Sequence, residues 1–427
     1  MRKYLNNAAV CEQCHILKML EKYAHTAHLS FHTPGHKIPD YDITELSYSD
    51  NLSCPTGVIF RAEQDIAKIL GAEASFLLTD GSTSGVLSML YALKLSGCQS
   101  VAVPILSHKS FFNGCALLGL TPILFETKED VVPLPIAAED VKDALERADA
   151  LFITSPDYYG NIADLKGIAA LCRAQEKPLI IDGAHGGHLH YHKDVYAGAY
   201  ADMWVDGVHK SLPAFTQGAV VSARRGFEKY LKTAVDTFRT TSPSYPIMAS
   251  VEYAVKYPRN LELEVLVLKE KTENKCFYQN GDYTKICVFA KDGFLVERLA
   301  QENGIYPEFA QNNLVCFYCS PAQKTEELKT LFDFLKALQE SGEMLPEKSI
   351  QRTPVPYKLQ DVVGKDVEKV PFEKAAGRIC AAVCGLFPPC LPLIRKGERI
   401  TQEKIKALQS ASNRFGVEEN QITVVKE

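Results

Sequence analysis

Asp182, in Asp182-Gly183-Ala184-His185, and Lys210, in His209-Lys210, each follow a short apolar run within the stretch from Pro178 to Gln217. The runs Leu179-Ile180-Ile181 and Met203-Trp204-Val205 are too short for helices and fit buried strands. In an open parallel α/β sheet, ligands collect at the carboxyl ends of the strands. An acid at one strand end and a lysine just past a neighbouring one can therefore face a single bound group. Each residue also has a plainer reading. An Asp after a strand caps the next helix, and a lysine in a loop is ordinarily solvated.

A buried lysine loses its proton readily and becomes a nucleophile toward aldehydes. Pyridoxal 5'-phosphate carries an aldehyde and a ring nitrogen that needs an acidic partner. The pairing of Asp182 with Lys210 points to that cofactor, and further candidates end other strands. After Ser75-Phe76-Leu77-Leu78 comes Asp80-Gly81-Ser82-Thr83-Ser84-Gly85, a turn into the helix VLSMLYALKL. Free N–H groups and the helix dipole make such a turn an anion site, although Ser and Thr are equally ordinary caps. It lacks the lysine of a nucleotide P-loop. His108 follows the strand Val101–Leu106, and its flat ring could stack on an aromatic ligand or serve as a hydrogen-bonded loop residue. Ser155-Pro156-Asp157-Tyr158-Tyr159-Gly160 ends the strand Leu151–Thr154.

These strand ends have to be held by a sheet. Strands alternating with helices over residues 72–225 predict an α/β fold, a mostly parallel sheet with helices on both faces. A helical stretch from about Ile247 to Lys271, kinked at Pro258, leads out of it. A smaller C-terminal α+β part follows, with strands at Ile286–Ala290 and around Cys316 and helices VERLAQENG and TEELKTLFDFLKALQ. The predicted divisions are 1–40, an N-terminal helix and active-site loop segment; 41–246, the large cofactor-binding domain; 247–345, a connecting helix and small α/β part; and 346–427, a C-terminal domain. A linker is expected at Pro346–Pro356, and EKIKALQSASNRF reads as a last helix.

The chain's 427 residues, 46% apolar content and formal net charge of -5 describe an ordinary globule, with no reason to expect a nucleic-acid partner. No apolar run reaches membrane-spanning length and none forms an export leader, so a cytoplasmic location and no membrane partner are expected. The thirteen cysteines read as reduced thiols, several of them small buried hydrophobes. Cys11-Glu12-Gln13-Cys14-His15 matches a haem-attachment pattern, but haem attachment needs export, and CEQCHILKMLEKYAHTAHL reads better as an amphipathic helix. A zinc site joining it to Cys316-Phe317-Tyr318-Cys319 is disfavoured, because residues three apart on a strand point to opposite faces. No metal site is expected. Phe31-His32-Thr33-Pro34-Gly35-His36-Lys37 reads as a turn, and Ile59, Ala62, Ile66, Ile69 and Leu70 form a core stripe on a helix.

With these residues in view, the chain resembles the Orn/Lys/Arg decarboxylase family of pyridoxal-phosphate enzymes, in its short form and with the type I transferase fold. FHTPGHK, DITEL, DGSTSG, SHKSFFNG, SPDYYG, DGAHGGH, HKSLPAFTQG, TTSPSY and the PP…LPL…GERI region carry the resemblance in one order from end to end. It implies decarboxylation of arginine, lysine or ornithine to the amine and CO2. It further implies Lys210 as the Schiff-base residue, Asp182 as partner of the ring nitrogen, His108 stacked on the ring and Ala184 on its other face. Ser82, Thr83, Ser84 and His209 would hold the phosphate, and His185 belongs to the same cofactor-binding set. A homodimer or larger homo-oligomer is implied, with the FHTPGHK and TTSPSY segments near the site. Another reaction on this scaffold, a lyase or aminotransferase, is the runner-up, and a non-catalytic regulatory paralogue is the third reading.

Two departures sit in the central stretch. The family usually has an acid where this chain has Gly183, and a Ser-Thr-His-Lys run where it has Gly207-Val208-His209-Lys210. Losing that serine removes a hydrogen bond to a charged group, a contact worth about 1.5–3 kcal/mol. Near the C-terminus, Cys390 and Lys396 stand where Gly and Pro are usual.

Overall fold

The structure, a computed structural model, describes residues 5–26, 29–37, 41–128, 132–258, 261–272, 276–311, 313–345, 365–386, 391–394, 397–411 and 414–426. The expected linker at Pro346–Pro356, Cys390 and Lys396 lie outside the described residues. The chain divides into two compact units.

The first unit comprises Met1–Val267 with Asn280–Thr284 and Cys319–Leu328. Its centre is a seven-stranded sheet made of β1 (Ala74–Leu78), β2 (Ser100–Pro104), β3 (Thr121–Phe125), β4 (Ala150–Thr154), β5 (Leu179–Gly183), β6 (Met203–Asp206) and β7 (Ala219–Ala223). The strand order is β1-β7-β6-β5-β4-β2-β3, and only β7 runs against its neighbours. The apolar runs that mark β4, β5 and β6 are buried on both faces, as strands covered on both sides require. β3 escapes the sequence pattern, because Pro122 interrupts its run; as an edge strand paired with β2 alone it has no need of that N–H.

The helices in order are α1 (Ala8–Cys11), α2 (His15–Ala24), α3 (Val58–Leu70), α4 (Gly81–Leu95), α5 (Lys109–Leu118), α6 (Ala138–Glu146), α7 (Leu165–Ala174), α8 (Val208–Ser211), α9 (Glu228–Phe238), α10 (Tyr245–Val255) and α11 (Glu262–Thr272). From α4, α5 and α9, the side chains Val86, Met89, Leu90, Phe111, Leu231 and Val235 pack with Phe152, Ile180, Val205 and Val221 of the sheet into one core cluster. On α3, Ile59, Ala62, Ile66 and Leu70 are buried as the stripe predicts, with Ile69 half-buried.

Two helical expectations in this unit are corrected. The single N-terminal helix is broken into α1 and α2, because both carboxylate oxygens of the buried Glu252 accept the backbone N–H groups of His15 and Ile16, at 2.7 and 2.9 Å. The kinked helix over Ile247–Lys271 is two helices, α10 and α11, with Lys256–Pro258 non-helical. Proline disfavours helical backbone in the residue before it and cannot continue the ladder. Cys11, Cys14, Cys316 and Cys319 are all buried, and Cys319 lies just past the strand that carries Cys316.

The second unit comprises Leu268–Gln279, Lys285–Tyr318 and Lys329–Glu427. Among its described residues are three small antiparallel sheets. The first joins β8 (Lys285–Phe289), β9 (Phe309–Gln311) and β10 (Leu314–Tyr318), and the helices α12 (Gly293–Glu302) and α13 (Thr325–Glu340) belong to the same part of the chain. Beyond them, Val370, Phe372, Ile394, Ile405, Leu408 and Ile422 form a separate core cluster. The last predicted helix is shorter than expected, Gln402–Ser410, and Arg414–Phe415 is extended. No helix among the described residues is long and apolar enough to cross a membrane.

Candidate active site

The register of the sheet sets Asp182 level with Thr154 on β4 and Val205 on β6. Register partners share a face, so Asp182 emerges on the side covered by α4 and α5, at the carboxyl end of β5. It is buried, and Oδ1 accepts the Ala184 N–H at 3.1 Å. On the neighbouring strand, β6 passes directly into α8, which carries His209 and Lys210.

Lys210 Nζ lies 3.0 Å from Nε2 of the buried His185 and 5.7 Å from the centroid of the Tyr158 ring. The rings of Tyr158 and His185 are themselves 4.4 Å apart. Tyr158 belongs to SPDYYG, and sequence reasoning gives it no role. The signal available is its place, a few residues past the end of β4 beside the strand that carries Asp182.

Gly186 permits the close turn after His185, since a Cβ there would fall 2.6 Å from Pro156 Cδ. The 3-10 turn Gly187–Tyr191 is then tied to α8 by the His188 N–H donating to Ser211 Oγ at 3.3 Å.

His108 caps α5, its Nδ1 accepting the Ser110 N–H at 3.3 Å, which leaves the ring's own proton on Nε2. Burial holds its pKa below the usual histidine value, with the charges of Asp182 and Lys210 acting on it in opposite directions. His209 donates Nδ1–H to the Gly218 carbonyl at 2.9 Å, and burial likewise lowers its pKa. In its neutral form Nε2 is an acceptor, so His209 donates to an anion only when that anion brings the second proton onto the ring.

The turn into α4 completes the edge. Gly81 has φ +75° and donates its N–H to the Gln217 carbonyl at 2.9 Å. Ser82 is half-buried, Thr83 exposed, and the buried Ser84 donates to the Gly81 carbonyl at 3.0 Å. A Cβ on Gly85 would strike Val205 Cγ2 at 2.6 Å, so this glycine lets α4 lie close on the sheet. Gly207 is tighter still. A Cβ there would meet the Ala184 carbonyl at 2.4 Å and Ser82 Oγ at 2.9 Å, which brings the hydroxyl turn, the residue after Gly183 and the lysine helix to one point.

From TTSPSY, the Thr240 N–H donates to Asp80 Oδ2 at 3.1 Å, at the cap of α4. FHTPGHK makes local bonds, His32 Nε2 with Tyr23 OH at 3.0 Å and His36 Nε2 with Asp42 at 2.9 Å. Four buried polar atoms, Thr79 Oγ1, Ser107 Oγ, Thr154 Oγ1 and Asp206 Oδ1, have no hydrogen-bond partner among the described residues. All four end a strand or lie within three residues of a strand's end on this same edge.

Residues 38–276 match the model of the Orn/Lys/Arg decarboxylase major domain, and residues 349–416 match that of its C-terminal domain. The chain belongs to the Orn/Lys/Arg decarboxylase family. Among its relatives, the uncharacterized protein YaaO of Bacillus subtilis is 29% identical, over 92% of this chain and 93% of its own length. The arginine decarboxylase of the same organism is 27% identical, over 90% of this chain and 91% of its own. The constitutive lysine decarboxylase of E. coli, as a solved structure, superposes with a TM-score of 0.72 at 17% identity, covering 97% of this chain and 82% of that one. A structure of SPT with PLP superposes at 0.55 and 14% identity, over 78% of this chain and 84% of its own. Likeness at such identities speaks for the fold, which is the type I fold of pyridoxal-phosphate enzymes.

Proposed function

We propose that this protein decarboxylates a basic amino acid, arginine, lysine or ornithine, with pyridoxal phosphate as cofactor. The observation that carries the reading is the meeting of Lys210 and His185 at 3.0 Å, with Asp182 on β5, between β6, which leads into the helix of Lys210, and β4, which leads into the turn of Tyr158. The donor set fits the cofactor. It offers a helix N-terminus with three hydroxyl residues for a phosphate, a flat neutral ring at His108, an acid at Asp182 and an amine at Lys210. The unpartnered hydroxyls of Thr79, Ser107 and Thr154 on the same edge suit a polar guest.

When bound, such a cofactor supplies an aldehyde and a ring that takes up the electron pair released as a carboxylate leaves. Lys210 is the residue that would hold it covalently, and a lysine attacks an aldehyde only as the neutral amine. His185 Nε2 is placed to take the proton from Nζ and to return it when the amine product is protonated at Cα. Asp182 provides the negative charge that keeps a ring nitrogen protonated. His108 and Ala184 would lie against the two faces of the ring. Ser82, Thr83, Ser84 and the first-turn N–H groups of α4 would bind the phosphate, with His209 joining as a cation.

We place the working enzyme in a homodimer or larger homo-oligomer. Leu29 and Phe31, the latter the first residue of FHTPGHK, are apolar yet 86% and 92% exposed, and they support this.

The test is the visible spectrum of the purified protein with pyridoxal phosphate, with CO2 collected on adding each basic amino acid in turn, beside Lys210→Ala. A band lost in Lys210→Ala, with CO2 from one of the three, supports the proposal. A band without CO2 would mean another reaction on this scaffold. Absence of a band would end the enzyme reading.

A further inference from the structure

Asp206 ends β6 and is 1% exposed, yet its carboxyl is provided for on one side only. Oδ2 accepts from Tyr196 OH at 2.6 Å and Trp204 Nε1 at 3.2 Å, while Oδ1 is buried with no partner among the described residues. Buried carboxyls are ordinarily paired or fully hydrogen-bonded, and exceptions gather where chemistry is done.

The sheet register shows what Oδ1 looks onto. Gly183 lies opposite Asp206, and Asp182 opposite Val205. The two acids are therefore one step apart on neighbouring strands and point to opposite faces. A Cβ on Gly183 would sit 3.4 Å from Asp206 Oδ1 and 3.0 Å from the Val205 carbonyl. With no side chain there, Oδ1 faces the bare backbone of the residue after Asp182. The negative charge of Asp182 raises the proton affinity of Asp206, and that interaction is mutual. Tyr196, which touches it, is kept protonated by burial and then by Asp206, while Arg224 and His190 stand one side chain further out, the guanidinium 5.6 Å from the Trp204 ring and the imidazole, kept neutral by burial, 6.5 Å from the Tyr196 ring.

Resting on the reading of Asp182 as the acid that serves a ring nitrogen, we propose that Asp206 is a positioning residue that acts through Asp182. It sets a second negative charge behind the first and so strengthens the hold on a protonated ring. The charge is switchable. Burial above all, and Asp182 after it, push the Asp206 pKa up to about 7 against its two hydrogen bonds. Above that pH Asp206 is ionised and the site is more negative; below it Asp182 acts alone. Cofactor binding should therefore tighten as pH rises through this range.

The experiment titrates the purified full chain with pyridoxal phosphate at pH 6 and pH 8, reading the dissociation constant from the visible absorbance, in wild type and Asp206→Asn. Asparagine keeps the shape and an acceptor for Tyr196 and removes the titrating charge. The wild type should bind about three- to tenfold tighter than the variant at pH 8, and the two should converge at pH 6. Tyr196→Phe, which removes a donor and leaves the carboxyl, should move the wild-type transition to higher pH, and it serves if Asp206→Asn does not fold. Equal affinities at both pH values, or an unmoved transition in Tyr196→Phe, would overturn the proposal while leaving the decarboxylase reading intact. A wild type with no band at all overturns both.

Discussion

His185 Nε2 stands 3.0 Å from Lys210 Nζ, with the Tyr158 ring against both. One proton between those two nitrogens decides whether the lysine is a nucleophile or a cation. His185→Gln keeps a polar side chain near Nζ and removes the imidazole that could exchange a proton with it. The visible band with pyridoxal phosphate should persist, because Lys210 is intact. CO2 release should fall by about 10²–10⁴, the usual worth of a positioned acid–base group. Unchanged CO2 release would remove His185 from proton transfer and leave it a packing residue.

Restoring the family's usual residues should harm this chain. In Gly207→Ser the new Cβ would fall 2.4 Å from the Ala184 carbonyl, a backbone atom that cannot step aside. In Gly183→Glu it would fall 3.0 Å from the Val205 carbonyl, and the carboxylate would come beside the buried Asp206. Each should lose about 1–3 kcal/mol, the ordinary cost of overpacking, with Gly183→Glu the worse because it adds a like charge. Urea unfolding monitored by circular dichroism measures both. Wild-type midpoints would mean that the backbone at these glycines yields.

Those glycines also show where the sequence is readable. β4, β5 and β6 are marked by apolar runs, and the chemistry-bearing residues directly after them stand out as polar breaks in DGAH and HK. What the sequence conceals is contact made across long separations. Nothing near His15 announces that Glu252 will accept its N–H, so the break between α1 and α2 is unreadable locally. Tyr158 looks like any aromatic in a turn until β4 and β5 set it against His185. Asp206 reads as a strand-end acid, and only the register with Gly183 shows that its carboxyl lies behind Asp182.

His190 should give the fold a defined weakness in acid. Burial is the chief cause that lowers its pKa to about 4, although Nδ1 bonds to the Gly187 carbonyl at 2.7 Å. The unfolded chain takes up the proton near pH 6.5 and the folded one only near 4. Stability from keeping His190 neutral is therefore present above 6.5 and is lost as pH falls toward 4. A shift of that size corresponds to about 3 kcal/mol. His190→Gln should flatten this part of the profile, measured as urea midpoints at about pH 4.5, 5.5 and 7. A variant that loses stability in acid as steeply as the wild type would assign the effect to other groups.

His108 does two jobs that substitutions can separate. Its Nδ1 caps α5 by accepting the Ser110 N–H, and its ring is the flat surface offered to a cofactor. His108→Asn keeps a capping acceptor and discards the ring, whereas His108→Phe keeps a ring and discards the cap. If the ring matters through stacking, Phe should hold pyridoxal phosphate nearly as well as the wild type. Asn should weaken it by up to about tenfold, in line with about 0.5–1.5 kcal/mol for an aromatic pair. Stability should show the reverse order, with Phe losing about 1 kcal/mol for the missing cap. Because burial holds the pKa of His108 below its ordinary value, the ring is neutral at both pH 7 and pH 8, and the affinity difference between Phe and wild type should not change between them. A loss of binding in Phe equal to that in Asn would mean that an imidazole nitrogen, and not the face of the ring, is what the cofactor meets.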